Sequence, residues 1–153
     1  MAHSTRDDIQ DAKTGQPVAS LMGVGLRNVG SYQVSGYPFL SGGFVKTLGE
    51  SKIAFPTVTK SVTVIASGNM TGDLRVHFVS TGSSDNVLAR HHYIVLDTVE
   101  DSVTFNVKCK EIYLSAGAQT SQTDVGFQLF AELTQIPTGS MFAITGSGHT
   151  DAP

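Results

Sequence analysis

Between Ser61 and Leu133, apolar and polar residues alternate along most of the chain. The alternation is clearest in three runs, at residues 73–80, 102–109 and 124–133. The apolar positions of these runs are Leu74, Val76 and Phe78, then Val103, Phe105, Val107 and Cys109, then Val125, Phe127, Leu129, Ala131 and Leu133. A period of two is typical of β-strands that have one face in a core and the other in water. The pattern therefore predicts an all-β protein.

Turn-forming residues separate these runs and set the spacing of the strands. Gly, Ser, Asn and Asp concentrate at residues 41–43, 67–72, 81–86 and 97–101, and such clusters favour turns. We predict strands at residues 31–35, 44–47, 51–55, 61–67, 73–80, 88–97, 102–109, 111–115, 124–133 and 141–145. Strands that follow one another every ten to fourteen residues or so favour antiparallel hairpins over parallel βαβ units. We expect an antiparallel β-sandwich that is jelly-roll-like.

The first 30 residues lack this alternation and carry glycines between small apolar residues. We expect an extended N-terminal arm at residues 1–30, a β-sandwich domain at 31–148 and an exposed C-terminal tail at 149–153. The apolar residues of the arm either lie along the domain's own sheet or bind a neighbouring subunit, and we favour the neighbour. The arm residues that are candidates for this contact are Val18, Leu21, Met22, Val24 and Leu26.

Aromatic residues are frequent where the arm meets the domain. We expect the segment from Tyr32 to Phe44 to act as the hinge between the two. Its candidate interface anchors are Tyr32, Tyr37, Phe39 and Leu40, because buried aromatic residues dominate the energetics of protein contacts.

Composition narrows the class of protein. The chain has 153 residues, which is the size of one ordinary domain. Only 15% of its residues are charged, against about 25% in typical soluble domains, so its surface repels other surfaces weakly. The net charge is −3, and the basic residues do not form the clustered stripe that is typical of nucleic-acid-binding proteins. We therefore expect no nucleic-acid partner. No segment approaches the roughly 18 apolar residues of a membrane span, and the first residues lack an apolar signal core. We therefore expect no membrane partner and synthesis in a cytoplasm.

The histidines and acidic residues are candidate metal ligands. His77 could approach His91 or His92 from a neighbouring strand, but zinc requires three or four ligands in tetrahedral geometry. No cysteine or carboxylate lies at a fixed short spacing to complete such a set. The acidic residues at 97–101 lack the calcium-binding EF-hand pattern. We expect surface histidines with one ring packed against a cross-strand neighbour, a solvated loop and no metal or other cofactor.

The sequence offers little evidence for nucleophilic catalysis or for sugar binding. The single cysteine, Cys109, excludes an internal disulfide, and its place in an alternating run predicts a small core residue. The chain lacks the Gly-x-Ser-x-Gly nucleophile elbow, so we expect no enzyme and no catalytic residues. The absence of Trp argues against a sugar-stacking platform.

Three segments carry a resemblance to a known family: residues 29–40 (VGSYQVSGYPFL), 55–64 (FPTVTKSVTV) and 105–113 (FNVKCKEIY). Together they are similar to small virion structural proteins of tailed bacteriophages, especially marine cyanophages. The resemblance covers most of residues 29–148. It implies a β-sandwich present in many copies on a virion, where it acts through contacts with the major capsid protein or other virion proteins. It carries over no catalytic residues.

Two functions follow as expectations. The first is a capsid decoration or cement protein, made in the host cytoplasm and located in the virion. It would be a homo-oligomer, with a trimer favoured, because closed rings bury edge strands that otherwise invite aggregation. The alternative is a receptor- or glycan-binding module on a tail or fibre, whose binding loops would be residues 67–72, 81–86 and 97–101.

Overall fold

The computed structural model describes residues 25–26, 29–30, 35–68, 72–82, 87–117 and 124–142. These residues form eight strands and one short 3-10 helix, Thr138–Ser140. The strands are β1 (Tyr37–Val45), β2 (Glu50–Ala54), β3 (Thr57–Ser67), β4 (Leu74–His77), β5 (Ile94–Leu96), β6 (Ser102–Phe105), β7 (Glu111–Ala116) and β8 (Val125–Pro137). The described part of the chain holds no helix with the length and hydrophobicity needed to cross a membrane. The all-β prediction is confirmed.

The strands form two four-stranded sheets, which we call sheet A and sheet B. Sheet A has the order β1-β8-β3-β6, and sheet B has the order β2-β7-β4-β5. Every pair of named strands is antiparallel. Apart from the β4–β5 pair, consecutive strands belong to different sheets. This repeated crossing between two sheets is the topology of a double-sheet jelly roll, so the prediction of a jelly-roll-like sandwich is confirmed.

The core lies between the two sheets and follows from the alternation in the sequence. Along β8, every second residue from Val125 to Leu133 is buried. Sheet B contributes Ile112 and Leu114 of β7, neither of which is exposed at all. Burial of each such aliphatic side chain stabilises the fold by about 1.5–3 kcal/mol. The alternating runs therefore build a single core shared by both sheets.

A second, smaller apolar cluster closes the end of sheet A where β3 begins and β8 ends. It consists of Val58, Ile136 and Met141, with the half-buried Leu26 packed against them. The Lys108 ammonium donates a hydrogen bond to the Leu26 carbonyl oxygen at 2.6 Å. A residue of the predicted arm is thus held on its own domain.

Several predicted strand boundaries are wrong. The predicted hinge contains β1, which pairs with β8 over its whole length from Tyr37 to Val45. The predicted strand at 88–97 shrinks to Ile94–Leu96, because residues 87–91 form turns and His91 has a φ of 56°. The run at 102–109 leaves the strand after Phe105. Of the predicted strand at 141–145, residues 141 and 142 are outside any strand, and the others lie outside the described residues, as do residues 31–34.

Cys109 lies outside the strands but is buried as predicted. The 106–109 segment has left β6, and the Thr59 side chain takes the place of strand hydrogen bonds there. Its hydroxyl lies 2.9 Å from the Val107 carbonyl oxygen and accepts a hydrogen bond from the Cys109 N–H at 3.0 Å. A buried side-chain hydroxyl therefore holds the 106–109 segment against β3. The alternation continues through this segment because its apolar residues still pack on the core.

Candidate interaction surface

Sheet A exposes an apolar strip on the face that points away from the core. Leu40 and Phe44 lie four residues apart on β1 and so share a face. Leu40 lies directly opposite Phe130 of β8. Their exposed fractions are 78% for Leu40, 68% for Phe44 and 39% for Phe130. Leu40 and Phe130 are adjacent, and Phe44 lies beyond Gly42 on the same face of β1. Exposed apolar side chains on one face mark a contact surface, and we call these three residues the apolar strip.

A shallow groove of about 500 Å³ adjoins the apolar strip. Gly42 opens it, because this position between Leu40 and Phe44 has no side chain on the outer face. The lining residues are Leu40, Ser41, Gly42, Ile65, Gln128, Leu129 and Phe130, none of which carries a charge. The groove therefore suits an apolar side chain better than an ion.

Among the described residues, the strip borders an open sheet edge. β1 is the terminal strand of sheet A, with β8 on one side and no described strand on the other. Its nine residues, YPFLSGGFV, include no charged side chain. Natural edge strands are usually protected by charges, prolines, bulges or a covering element, and within β1 only Pro38 is of this kind. A long uncharged edge is a template for pairing with another strand.

The outer face of sheet B is polar and partly covered by the chain that follows β4. The Glu50 carboxylate accepts hydrogen bonds from the Ser80 hydroxyl at 2.7 Å and the Thr81 N–H at 2.6 Å. Burial alone would raise the pKa of Glu50, but these hydrogen bonds give a net lowering. Val79 and Val87 are buried in this covering segment. Sheet B thus holds part of its outer face in contacts within the chain, although Val95, opposite Arg75, is 43% exposed, and sheet A leaves Leu40 and Phe44 more exposed than that.

His77 is part of that covered face. Its side chain is only 1% exposed. Nδ1 lies 2.6 Å from the Val79 carbonyl oxygen, and Nε2 lies 2.9 Å from the Ser115 hydroxyl. Since a carbonyl only accepts, Nδ1 donates, and Nε2 of the neutral ring accepts from Ser115. Burial lowers the pKa of His77. The prediction of a surface position is wrong for His77, because the polar outer face of β4 is covered. The predicted packing of one histidine ring on a cross-strand neighbour is confirmed, since His77 stacks on Tyr113 with 6.0 Å between ring centroids.

The other residues considered for chemistry, Cys109 and His91, lie in surroundings that do not form a reactive or metal-binding site. Burial raises the pKa of the Cys109 thiol to about 11, which keeps it protonated and unreactive near neutral pH. His91 lies beside Tyr93, with 3.1 Å between its Nδ1 and the phenolic oxygen. Across the described ranges, no three His, Cys, Asp or Glu residues are grouped so that they could hold a metal ion.

The candidate binding loops are only partly brought together. The 97–101 loop is joined to β3 by hydrogen bonds from the Ala66 N–H to Asp101 and from the Glu100 N–H to Ala66, which places it beside the start of the 67–72 loop. By contrast, Thr81 is bound to Glu50 on β2, at the opposite edge of sheet B from β5. The three loops therefore do not form one continuous surface through their described residues.

The predicted interface residues separate into distinct environments. Leu40 is in the apolar strip, and the exposed Tyr37 accepts a hydrogen bond from the Gln135 amide at 2.9 Å. Phe39 faces the core and packs edge-to-face on Phe55, with 5.3 Å between ring centroids. Leu26 belongs to the small cluster of its own domain. The remaining candidates, Val18, Leu21, Met22, Val24 and Tyr32, lie outside the described residues.

Two residues of the strip were missed by sequence reasoning. The sequence places Phe44 in the hinge without a contact role, and it gives no contact role to Phe130 within its alternating run. A signal was available for Phe130, because it occupies a polar-phase position of β8 between Gln128 and Glu132. A large apolar residue on the polar side of an alternating strand indicates a contact outside the core.

No protein-family model matches this chain, and no curated protein matches it significantly. The structure therefore supports the class of a double-sheet jelly roll, with a partly covered outer face on sheet B and an exposed apolar strip on sheet A.

Proposed function

We propose that the protein is a non-enzymatic virion structural protein, a decoration or cement protein that binds the shell of a tailed-phage particle in many copies. The observation that carries the proposal is the apolar strip beside an uncharged, open β1 edge on a jelly roll. Jelly rolls recur in viral capsid domains, although fold alone does not fix function. The phage-like segments at residues 29–40, 55–64 and 105–113 add to the case.

In this role the strip supplies the contact energy. Leu40 and Phe130 are large, exposed and directly opposite each other, and Phe44 lies on the same face of β1, so contact with the major capsid protein or another virion protein would desolvate all three side chains. Low charge along β1 lets such surfaces approach without repulsion. Repetition around the shell then raises avidity without stronger single contacts. The predicted arm would add a second point of attachment.

The number of copies in each particle tests whether the protein covers the shell or lies on a tail, vertex or fibre. Quantitative mass spectrometry of purified virions, with the major shell protein as the reference, should give hundreds of copies per particle. A handful to a few dozen would place the protein on a tail, vertex or fibre. Its absence from virions would refute the structural role.

A binding assay tests the surface. Wild-type protein added to particles that lack it should bind, and Leu40→Asp should reduce binding at least tenfold. Ser102→Asp is the matched control, because Ser102 is an exposed residue of β6, the opposite edge strand of the same sheet. Equal binding by both variants would contradict a role for the apolar strip.

The second candidate function is receptor or glycan recognition. The observation that favours it is the exposed 97–101 loop, which lies beside the start of the 67–72 loop at one end of the sandwich. Loop clusters at the ends of sandwiches commonly carry binding sites. Glycan-array binding that is lost on substitution in 97–101, and kept by Leu40→Asp, would favour this function over shell attachment.

A further inference from the structure

We propose that two copies of the chain pair through β1, in antiparallel fashion about a two-fold axis at Ser41. The pair joins two copies of sheet A into one continuous eight-stranded sheet. β-strand addition at an open edge uses the backbone N–H and C=O groups that the edge leaves unpaired. This inference concerns the isolated protein and stands independently of a role in virions.

The register follows from the two faces of β1. Residues that are directly opposite in an antiparallel pair point to the same side of the sheet. If the outer faces of both copies are to remain on one side, each even-numbered residue must lie opposite an even-numbered one. The register that pairs all nine residues of β1 places Ser41 opposite Ser41 of the second copy. Leu40 then lies opposite Gly42, and Tyr37 opposite Val45.

Side-chain size is complementary in this register. On the outer face, Leu40 of each copy meets the gap left by Gly42 of the other, at the mouth of the groove. On the inner face, Phe39 lies opposite Gly43, where an added Cβ would still be 3.8 Å from the nearest atom of its own chain. Phe44 falls beside Pro38. Leu40 and Phe39 of one strand thus face glycines of the other, Phe44 faces Pro38, and Tyr37 faces Val45.

Charge is complementary just beyond the paired residues. The same register places Lys46 of one copy opposite Gly36 of the other. Gly36 lies against Glu132, since a Cβ built on it would be 2.7 Å from the Glu132 Cβ. Glu132 lies on β8, so two strand spacings of about 4.8 Å each separate it from β1 of the second copy, and its carboxylate also accepts a hydrogen bond from the Ser61 hydroxyl at 2.8 Å. An extended lysine side chain on the outer face spans this distance. The two-fold axis repeats the contact, which gives two Lys46–Glu132 pairs, and β1 itself contributes no like charges.

The paired edge changes the expected assembly. It gives a two-fold dimer in place of the trimer that the sequence favours, because β1 of each copy closes the edge of the other. The two groups of Leu40, Phe44 and Phe130 become neighbours on one side of the joined sheet. The dimer therefore presents a larger continuous apolar surface than either copy alone.

Cysteine cross-linking tests the register. The Ser41→Cys variant, purified and mildly oxidised, should form a disulfide-linked dimer in high yield, because residues opposite each other in an antiparallel pair have Cα atoms about 4.5–5.5 Å apart. The Ser102→Cys variant, on the exposed β6 edge, is the control for random collision. Wild type controls for Cys109, which is buried. Equal yields from the two variants, or no dimer from Ser41→Cys, would overturn the proposal.

A charge exchange tests the contact independently of cysteine. Lys46→Glu and Glu132→Lys should each weaken the dimer by about threefold to tenfold in sedimentation equilibrium, and the double variant should recover most of the affinity. Circular dichroism of each variant verifies that the fold is intact. If the dimer affinity is the same in all three variants, the dimer has another interface. A wild type that remains monomeric at high concentration would refute pairing altogether.

Discussion

His77 and Ser115 meet across β4 and β7, with 2.9 Å between the Nε2 and hydroxyl atoms. The contact lies on the outer face of sheet B, where the chain after β4 folds over the strands. The same imidazole bonds the Val79 carbonyl oxygen in that covering segment. One neutral ring therefore joins the covering segment to the sheet, and its protonation state is linked to the stability of the fold.

Stability should fall as the pH is lowered through the range in which the unfolded chain protonates its histidines. The pKa of His77 is lower in the fold than its ordinary value of 6.5, so below about pH 6.5 the unfolded chain binds the proton more readily and the fold loses stability. The charged groups around the ring, Glu50 and Arg75, act in opposite directions on it. Urea unfolding at pH 7.5 and 5.5 measures the loss.

The His77→Gln variant is the control for this pH dependence. It should be less stable than wild type at pH 7.5 by about 1–3 kcal/mol, because a buried hydrogen-bond partner is removed. Its stability should change less than that of wild type between pH 7.5 and 5.5. A second loss below about pH 4.5 should remain in both proteins, since the pKa values of Glu50 and Glu111 are lowered in the fold. An unchanged slope in the variant would assign the pH effect to another group.

Substitution of two leucines distinguishes a side chain that stabilises the fold from one that is available for contact with a partner. Leu129 is 1% exposed and Leu40 is 78% exposed, although both belong to sheet A. Leu129→Ala should lower the free energy of unfolding by about 2–5 kcal/mol, through lost burial and a cavity. Leu40→Ala should change it by less than about 0.5 kcal/mol. A large loss from Leu40→Ala in the monomer would mean that this side chain serves the fold.

Close backbone approach makes one glycine of β8 hard to replace. A Cβ on Gly126 would lie against the Ser67 carbonyl oxygen of β3, whereas a Cβ on Gly139 would meet nothing within 4 Å. Gly126→Ala should therefore destabilise the fold by roughly 1–3 kcal/mol. Gly139→Ala should be nearly neutral. Thermal unfolding of both variants provides the comparison, and similar melting temperatures would mean that the strands separate at Gly126 at little cost.

The fold could be predicted because alternation reports burial directly. The run from Val125 to Leu133 predicted both the strand and its buried face, since a one-residue shift would expose its whole apolar set. Strand order could not be predicted, because the pairing of β1 with β8 joins residues far apart in sequence. The segment that covers sheet B could not be predicted for the same reason, because its contacts also join residues far apart in sequence. Nothing local to His77 shows that Val79 and Ser115 will enclose it.

The interaction surface could be predicted only in part. Leu40 was found through its aromatic neighbourhood. Phe39 was grouped with it, although the two point to opposite faces of β1 and Phe39 packs on Phe55. Phe130 needed the register with Leu40, which no local pattern supplies. Side-chain direction on a strand is thus predictable once the strand is placed, but its neighbours depend on the tertiary fold.

Two truncations should locate the boundary between the arm and the domain. Leu26 packs on the cluster of Val58, Ile136 and Met141, and Lys108 binds its carbonyl oxygen. Removal of residues 1–24 retains these contacts and should leave the free energy of unfolding unchanged within about 0.5 kcal/mol. Removal of residues 1–28 exposes the cluster and should cost about 1 kcal/mol more, as expected for a half-buried leucine.

The full-length Leu26→Ala variant distinguishes the side chain from the truncation itself. It should reproduce most of the loss seen on removal of residues 1–28, because both changes uncover the cluster at Val58 and Ile136. Urea unfolding of the variant and the two truncated proteins measures the difference. If removal of residues 1–24 already produces the full loss, those residues stabilise the domain and do not form an arm. The functional boundary would then lie before Gly25, and attachment to a partner would depend on the apolar strip of sheet A.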